Sequence, residues 1–240
     1  MTASRALSAD VKKLFQETTT ATVCTQLFKR GLLNQLIQGV QLVTPKAKMM
    51  VGEAFTLRNI PARADLDGPG MFNDREHPQR RAIEECPEGA VLAIDCRKDQ
   101  RSGALGDILV TRLADRGVAG VVTDGGMRDL VPMAEFTIPI YAACAAPPAS
   151  FHVHHAVDLQ KPIACGDVAV FPGDILLGDA EGVVVVPRHL AEEVARDSAE
   201  QESMESWVLA EVKKGQSIFG LYPPNDDNKK RYEAEKATKK

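Results

Sequence analysis

Residues 106–129 read GDILVTRLADRGVAGVVTDGGMRD, and this stretch decides the fold class of the chain. Apolar residues recur at helical spacing from Asp107 onward, and Gly117 supplies the left-handed position at which helices commonly end. Residues 118–122 form a short apolar run, which is typical of a buried parallel strand. The stretch therefore predicts a helix that leads into a parallel strand, the repeating unit of α/β proteins.

The sequence on both sides continues this alternation of helices and short strands. Upstream, we predict helices over residues 8–15, 22–29 and 80–85 and strands over residues 53–58 and 90–95. Downstream, residues 163–187 predict several short strands broken at tight turns, and residues 188–214 predict a long helix ended by Gly215. A polar loop over residues 63–80 interrupts both periodicities and is long enough to cover a site. We predict one α/β domain over residues 1–215, followed by a C-terminal arm and charged tail over residues 216–240.

Composition narrows the class of protein. The chain has 240 residues, which is enough for a sizeable core, and its formal net charge of −4 leaves no general basic surface for nucleic acid or anionic membrane. Its five cysteines are odd in number and form no CxxC pair, which predicts buried thiols in a reducing compartment. We find no apolar signal region and no run that approaches the ~18 residues of a membrane helix. We therefore expect a cytoplasmic protein with no nucleic-acid or membrane partner.

Polar groups gather at the two turns of residues 106–129. A helix that starts beside Gly106 offers unpaired N–H groups and the positive end of its dipole to an anion. Arg128 and Asp129 follow the carboxyl end of the predicted strand, where open α/β sheets bind their ligands. The residues therefore predict a pocket for a small anion, with a candidate cation site at its acids. Ordinary helix capping and a solvated Arg-Asp pair are the alternative interpretation of the same residues.

The pattern GD, a helix, GxxGxV and then DGxxRD resembles the signature of the RraA-like family. That family includes class II 4-hydroxy-4-methyl-2-oxoglutarate/4-carboxy-4-hydroxy-2-oxoadipate aldolases and the regulator of ribonuclease activity A. Three further stretches resemble family landmarks in the family's order: TTTATV at 18–23, PIY at 139–141 and PGDILLGDAEGVVVVP at 172–187. The resemblance covers most of residues 15–215. It implies the family's swivelling β/β/α-type α/β fold as a single domain, here with a long C-terminal helix and an extended arm.

The resemblance also implies a role for each polar group of the pocket. A divalent metal, Mg²⁺ or Mn²⁺, would bind Asp129, a hard oxygen ligand that suits either ion. Arg128 and the backbone N–H groups of Ile108 and Leu109 would bind the substrate carboxylate, and Asp107 would hold the water carried by the metal. The implied substrate-binding set is Gly106, Asp107, Ile108, Leu109 and Arg128.

The family's sites are completed across a subunit interface, which implies a third catalytic group beside Asp107 and Arg128. Our candidate is Glu202, on the predicted last helix, which would reach the site of a neighbouring subunit; Glu205 is the alternative. A helix that donates an acid to a neighbour requires a closed ring, and the resemblance implies that this ring is a homotrimer or homohexamer.

The implied activity is that of a metal-dependent pyruvate aldolase, a carbon–carbon lyase that cleaves a 4-hydroxy-2-oxo acid to pyruvate and a carbonyl product. Oxaloacetate decarboxylation is the expected side activity, because both reactions pass through the same enolate. The alternative is a non-catalytic regulator that binds a ribonuclease. Residues 220–225 and the loop at 63–80 also leave open a sugar-derived 2-oxo acid as substrate. One departure concerns the aldol acceptor: family aldolases carry an acid soon after the Arg-Asp pair, whereas here the next acid is Glu135.

Two other polar clusters have weaker claims to chemistry. His152 and His154 alternate as strand neighbours would, but no nearby cysteine or carboxylate cluster completes a metal site, so we favour hydrogen-bonded or exposed histidines. Asp179 and Glu181 precede an apolar strand, where we favour ordinary turn formation over acid catalysis. Most lysines lie in polar or terminal surroundings, which argues against a Schiff-base mechanism.

Overall fold

The computed structural model describes residues 7–238, which form α/β structure around one curled sheet. The strands are β1 (Gln41–Leu42), β2 (Met50–Pro61), β3 (Val91–Asp95), β4 (Gly120–Thr123), β5 (Gly126–Met127), β6 (Ile140–Ala142), β7 (Cys144–Ala145), β8 (His154–Leu159), β9 (Ile163–Cys165), β10 (Val168–Val170), β11 (Ile175–Asp179) and β12 (Gly182–Val186). The helices are α1 (Ala9–Gln16), α2 (Thr20–Lys29), α3 (Pro78–Glu85), α4 (Asp107–Asp115), α5 (Leu130–Met133), α6 (Ala191–Lys213) and α7 (Asp226–Thr238). Short 3₁₀ turns lie at Pro69–Asn73, Ser150–His152 and Arg188–Leu190.

The main sheet has the strand order β1-β6-β4-β3-β2-β11-β12, with β8 also paired to β2. β3 lies parallel to both β2 and β4, and the connection from β3 to β4 runs through α4, as predicted. The twelve-residue strand β2 pairs with β11 through residues 50–53 and with β8 through residues 57–61. Because one strand serves two antiparallel partners at its two ends, the sheet curls into a half-barrel.

Local chemistry explains where the helices start and stop. The Ser8 side chain accepts a hydrogen bond from the Val11 N–H at the start of α1, and Thr19 caps α2 in the same way. The predicted stops at Gly117 and Gly215 have φ of 74° and 90°, which a residue with a Cβ adopts at a cost. The predicted helices and strands are therefore present. The clearest shift is in β2, which runs several residues beyond both ends of the predicted strand.

Three clusters of buried side chains hold these layers together. Leu92 and Ile94 of β3 pack with Leu113 of α4 on one face of the sheet, and the β9–β10 hairpin covers the other face. The third cluster joins α1, α2 and α6 to the β11–β12 hairpin. Each fully buried Val, Leu or Ile side chain contributes about 1.5–3 kcal/mol, so this packing fixes the positions of the loops that follow β3 and β4.

The C-terminal segment is not the extended arm and solvated tail that we predicted. Residues 226–238 form α7, which packs against α6, and the ring centroids of Trp207 and Tyr232 lie 6.0 Å apart. Glu211, whose side chain is 2% exposed, accepts charged hydrogen bonds from Lys214 and Arg231. Tyr232 is the only buried residue of α7 within the described part of the chain, and most of the helix is charged. A charged segment of this composition is also typical of a solvated tail, which explains the prediction. The predicted tail's residues 239–240 lie outside the described residues, and the boundary at residue 215 stays a prediction.

None of the helices within residues 7–238 is long and apolar enough to cross a membrane. The five cysteines are free thiols. Three of them, Cys86, Cys96 and Cys165, are buried, whereas Cys24 and Cys144 are half-buried, so the prediction of buried thiols is correct for three. Burial raises the pKa of Cys86 to about 12, which keeps that thiol protonated at neutral pH.

Candidate active site

The predicted pocket is built by three segments that run side by side beyond the carboxyl ends of β3 and β4. The Ala104 N–H donates to the Gly126 carbonyl oxygen at 2.9 Å, and the Arg128 N–H donates to the Leu105 carbonyl oxygen at 2.9 Å. On the other side, β5 pairs in parallel with β7, and the Ala146 N–H donates to the Met127 carbonyl oxygen at 2.9 Å. This ladder places the start of α4 beside Arg128 and Asp129, as the motif predicted.

Two glycines let side chains cross directly over this ladder. A Cβ on Gly103 would lie 2.4 Å from Arg128 Cγ, and a Cβ on Gly106 would lie 2.7 Å from Asp129 Oδ2. Both distances are too short for non-bonded carbon and oxygen atoms, so any side chain at either position would displace its neighbour. The Arg128 side chain therefore lies on the backbone at Gly103. The Asp129 carboxylate lies on the first residue before α4.

Asp129 has φ 57° and ψ 37°, the left-handed region, which is uncommon for a residue other than glycine. It occupies the cap position of α5, yet its side chain makes no capping hydrogen bond. The backbone conformation costs on the order of 1 kcal/mol and turns an exposed carboxylate toward the pocket instead of toward its own helix. Strain of this kind is common at functional sites.

Asp124, the first acid of the DGxxRD motif, has a structural role. Its buried carboxylate accepts hydrogen bonds from the backbone N–H groups of Cys96 at 2.7 Å, Lys98 at 3.1 Å and Gly166 at 3.3 Å. Burial raises its pKa, and these N–H donors oppose that rise. Asp124 thus ties the loop after β3 and the β9–β10 turn to the end of β4, and it does not line the pocket.

The pocket is a cavity of about 270 Å³. Its lining residues are Phe72, Gln79, Arg80, Gly103, Ala104, Leu105, Gly106, Asp107, Ile108, Leu109, Arg128, Asp129, Ala149 and Ser150. Two arginines and two carboxylates lie among them, and within residues 7–238 none of the four forms an ion pair. A cavity that holds unpaired charges of both signs is suited to a ligand that carries an anionic group and, near the acids, to a cation.

The backbone N–H groups at the start of α4 behave differently from one another. The Ile108 N–H, which we expected to bind substrate, donates to Asp107 Oδ1 at 2.8 Å. The Leu109 N–H has no acceptor in the described part of the chain. Of the two predicted donors, only Leu109 is therefore free in this conformation, and Ile108 becomes free only when Asp107 turns away.

The predicted third acid lies elsewhere in the same subunit. Glu202 Oε1 accepts hydrogen bonds from the Thr19 N–H at 3.0 Å and from Thr19 Oγ1 at 2.8 Å, at the start of α2. Glu205 Oε1 accepts a hydrogen bond from Gln201 Nε2 at 2.9 Å. Neither glutamate lines the cavity, so a role for either at the pocket requires a second subunit and stays a prediction.

A divalent cation fits the acids of the pocket only in a water-rich form. The described residues contain no group of three His, Cys, Asp or Glu side chains that could hold a metal ion, so a cage made of protein ligands alone is absent from them. Mg²⁺ keeps several waters and uses one or two carboxylates, and Asp129 and Asp107 supply that number. The Asp129 carboxylate meets this requirement best, because it has no hydrogen-bond donor among residues 7–238.

The other candidate clusters do not form sites. His152 lies in a 3₁₀ turn and its Nδ1 contacts the Ala149 carbonyl oxygen at 2.8 Å, whereas His154 is buried at the start of β8, so the two are not a ligand pair. Asp179 accepts hydrogen bonds from the Glu181 N–H and from Thr20, which agrees with the turn role that we favoured. Glu135 pairs with Lys46 on the surface.

Sequence reasoning missed Arg80 and Phe72. Both belong to the region at 63–80 that we predicted as a covering loop; Phe72 lies in its 3₁₀ turn, and Arg80 lies in the first turn of α3. The Arg80 guanidinium carbon lies 4.8 Å from the centroid of the Phe72 ring. The pair RR at 80–81 gave no signal to distinguish a pocket residue from a surface one, because that difference depends on how α3 packs.

Comparison with known proteins places these features in a family. The family model described as RraA-like, Aldolase/RraA, matches residues 20–185. A *Halalkalibacterium halodurans* protein, named provisionally as a 4-hydroxy-4-methyl-2-oxoglutarate aldolase, is 31% identical over 123 residues, which are 51% of this chain and 58% of that protein. A *Thermus thermophilus* protein named 4-hydroxy-4-methyl-2-oxoglutarate aldolase is 32% identical over 108 residues, 45% of this chain and 65% of that protein. The chain thus matches about three fifths of the length of these relatives.

Solved structures extend the similarity over most of the chain. The *Streptomyces coelicolor* protein RraAS2, described as an unusual member of the RNase ES inhibitor RraA protein family, has a TM-score of 0.74 and 26% identity. The match covers 85% of this chain and 97% of that one. An uncharacterized protein from *Pseudomonas syringae* has a TM-score of 0.78 at 21% identity, covering 91% of this chain and 99% of that one, and shows the fold alone.

Proposed function

The chain belongs to the RraA-like family, and we propose that within it this protein is a divalent-metal-dependent pyruvate aldolase. The substrate is a 4-hydroxy-2-oxo acid, and the products are pyruvate and a carbonyl compound. The single observation that carries the proposal is the convergence of Asp107, Arg128 and Asp129, without ion-pair partners in the described chain, on one cavity. The aldolase names of two relatives support the same reaction class.

Arg128 binds and orients the 2-oxo acid. Its planar guanidinium can pair with a carboxylate through two parallel hydrogen bonds, and the Leu109 N–H adds a neutral donor at the positive end of α4. The Arg128 side chain lies over Gly103, where the missing Cβ leaves room for it beside the start of α4. Donors placed in this way can act on charge that develops during the reaction.

Bond cleavage moves one proton and one electron pair. The C4 hydroxyl gives its proton to Asp107, directly or through a water held by that carboxylate, and the C3–C4 bond breaks as C4 becomes the carbonyl of the departing product. The electron pair remains on the three-carbon half as the enolate of pyruvate. Protonation at C3 then gives pyruvate.

Asp129 is the residue that would hold the metal, with Asp107 as its neighbour. When bound, a divalent cation supplies Lewis-acid polarisation of the C2 carbonyl and offsets the charge of the enolate. The same stabilisation would serve oxaloacetate, whose decarboxylation also leaves the pyruvate enolate, so we propose that reaction as a side activity.

A ribonuclease-binding regulator remains the alternative, since one structural relative belongs to an RNase ES inhibitor family. A protein-binding surface has no need of an unpaired arginine above a glycine or of a strained aspartate at a cavity. These two features favour the enzyme.

The test is a coupled assay for pyruvate with purified protein and a panel of 4-hydroxy-2-oxo acids, including sugar-derived ones, in Mg²⁺, Mn²⁺ or chelator. We expect pyruvate release that depends on the metal and is abolished in Asp129→Ala with the fold retained. Release that continues in chelator or in that variant would contradict the metal assignment. Inhibition of a ribonuclease by a protein inactive on every acid would favour the regulator.

We further propose that the active form is a trimer or hexamer in which Glu202 of one subunit reaches the pocket of the next. Glu202 is surface-accessible on α6, and its carboxylate has only Thr19 as a partner among the described residues. Glu205 is the alternative donor.

A further inference from the structure

Arg80 lines the same cavity as Arg128 but comes from a different part of the fold. It lies in the first turn of α3, after the 63–80 region, whereas Arg128 follows β5. The cavity is therefore lined by two arginines from separate segments, one from the loop ladder and one from the covering segment.

Arg80 has no anionic partner within residues 7–238. Its Nε is buried without a hydrogen-bond acceptor in that range, and its guanidinium stacks on the Phe72 ring. Burial lowers its pKa, so the charged form is incompletely solvated. A cation over an aromatic ring gains about 0.5–2 kcal/mol, but the ring supplies no carboxylate oxygen for the guanidinium N–H donors.

Neighbouring arginines, unlike Arg80, have acidic partners. Arg81, one residue further along α3, forms an ion pair with Glu85 at 2.6 Å, and Arg112 of α4 pairs with Glu84 at 2.9 Å. Arginines that face solvent on these two helices are thus neutralised by acids of the same surface. Arg80, which faces the cavity, is not.

We propose that Arg80 is a specificity-determining residue that binds a second carboxylate, on the acceptor half of the substrate. The proposal rests on the proposed aldolase function, in which Arg128 takes the carboxylate of the pyruvate half. One carboxylate can pair with one guanidinium through two parallel hydrogen bonds, so a ligand with a second carboxylate can use both arginines. A sugar-derived acid, whose distal end carries hydroxyl groups, offers Arg80 no second carboxylate.

Two substrates that differ only at the distal end test this assignment. 4-Hydroxy-2-oxoglutarate carries a distal carboxylate, and 4-hydroxy-2-oxopentanoate carries a methyl group there. We expect the wild-type protein to favour the first in kcat/KM by about tenfold or more, the range of one charged hydrogen-bonded pair. Arg80→Met, which keeps an apolar stem beside Phe72, should remove that preference through KM, and Arg80→Lys should retain part of it.

Arg81→Met is the matched control, because it removes a neighbouring charge that is paired at the surface; the preference should be unchanged. Equal kcat/KM for the two acids in the wild type, a stronger activity on 4,5-dihydroxy-2-oxopentanoate, or a proportional loss on both acids in Arg80→Met would overturn the proposal while leaving the aldolase function intact.

A binding measurement separates this proposal from the reaction itself. Titration calorimetry with unreactive 2-oxoglutarate and 2-oxopentanoate in Mg²⁺ should show tighter binding of the first, and Arg80→Met should abolish the difference. If the wild type turns over no acid but binds 2-oxoglutarate through Arg80, the proposed function fails and the anion site stands. If neither preference depends on Arg80, the anion site fails.

Discussion

Arg128 is positioned by the backbone and not by an acid. Its N–H is bonded to Leu105, its Cγ lies against Gly103, and its guanidinium forms no ion pair with the described residues. Because no acid of the described chain pairs with it, the Arg128 guanidinium is available to an anionic ligand.

Replacement of the Arg128 guanidinium should slow the reaction. We predict that Arg128→Lys lowers kcat/KM for pyruvate release by about tenfold or more, since an ammonium group cannot pair with a carboxylate in the same planar way and each tenfold corresponds to about 1.4 kcal/mol. Arg112→Lys, at a surface ion pair on α4, is the control. Kinetics within about twofold of the parent would place the anion site elsewhere.

His154 makes stability depend on pH. Its side chain is 2% exposed, and burial and Arg97 lower its pKa to about 4, while Asp99 acts in the opposite direction. Below about pH 6.5 the unfolded chain takes up a proton at this histidine, and the folded protein does not until about pH 4. Stability is therefore fully present above pH 6.5 and is lost as the pH falls from 6.5 toward 4.

In the wild-type protein, His154 should lower the free energy of unfolding by on the order of 3 kcal/mol as the pH falls through this interval. We predict that this fall is absent in His154→Leu, measured by denaturant unfolding from pH 7 to pH 4.5. Buried carboxylates such as Asp124 titrate in both proteins, so the difference between them isolates the histidine. His189→Leu, at an exposed position, should keep the wild-type slope. An unchanged slope in His154→Leu would assign the pH dependence to other groups.

At the scale of elements, Asp179 joins the β11–β12 hairpin to α2. Its carboxylate accepts hydrogen bonds from the Thr20 N–H at 2.9 Å, from Thr20 Oγ1 at 2.8 Å and from the Glu181 N–H at 2.8 Å. A carboxylate at a helix start satisfies free N–H groups and complements the dipole.

We predict that Asp179→Ala lowers the free energy of unfolding by about 1–2 kcal/mol. Glu181→Ala, which keeps the backbone donor and removes an exposed carboxylate, should change it by less than about 0.5 kcal/mol. Pyruvate release per folded molecule should be unaffected in both. Loss of activity without loss of stability in Asp179→Ala would instead make this acid part of a site.

These elements also show what sequence can predict. Periodicity and glycine stops located α4 and β4 closely, since the helix has an apolar face and the strand is buried on both sides. The prediction missed α7 because Tyr232 is the one buried residue through which this charged segment packs against α6. β2 was predicted too short, because its ends pair with β11 and β8, which are distant in sequence.

The site also contains residues that the sequence predicted and residues that it did not. Asp107, Arg128 and Asp129 were predictable neighbours because strand ends and helix starts meet at one edge of a parallel sheet. The roles of Gly103 and Arg80 were not, since both depend on which segments lie face to face after folding. The family resemblance supplied the metal and the subunit interface, and neither follows from one chain's residues alone.

At the scale of the whole molecule, the proposed ring of subunits makes a prediction about mixtures. Asp129→Ala and Glu202→Ala should each be inactive, but mixed subunits should recover part of the activity, because some interfaces then carry both intact acids. Thr19→Val is the control, since it removes the hydroxyl that donates to Glu202 and leaves the Glu202 carboxylate in place.

Sedimentation should show a trimer or hexamer. A fully active monomer, or no recovery in mixtures whose subunits demonstrably exchange, would count against a shared site. If mixtures of Asp129→Ala with Glu205→Ala recover activity and mixtures with Glu202→Ala do not, the acid donated to the neighbouring subunit is Glu205, one turn further along α6.

The central claim is that this pocket forms the enolate of pyruvate and that Asp129 would hold the metal that the reaction needs. It can be tested without knowing the acceptor. Because protonation at C3 is reversible, an enzyme that makes the enolate must exchange the methyl protons of pyruvate with solvent. Proton NMR of pyruvate in D₂O with Mg²⁺ should show exchange well above the rate with Mg²⁺ alone, lost with chelator and in Asp129→Asn. No exchange by the folded wild-type protein, or exchange that survives chelation and the substitution, would contradict the account.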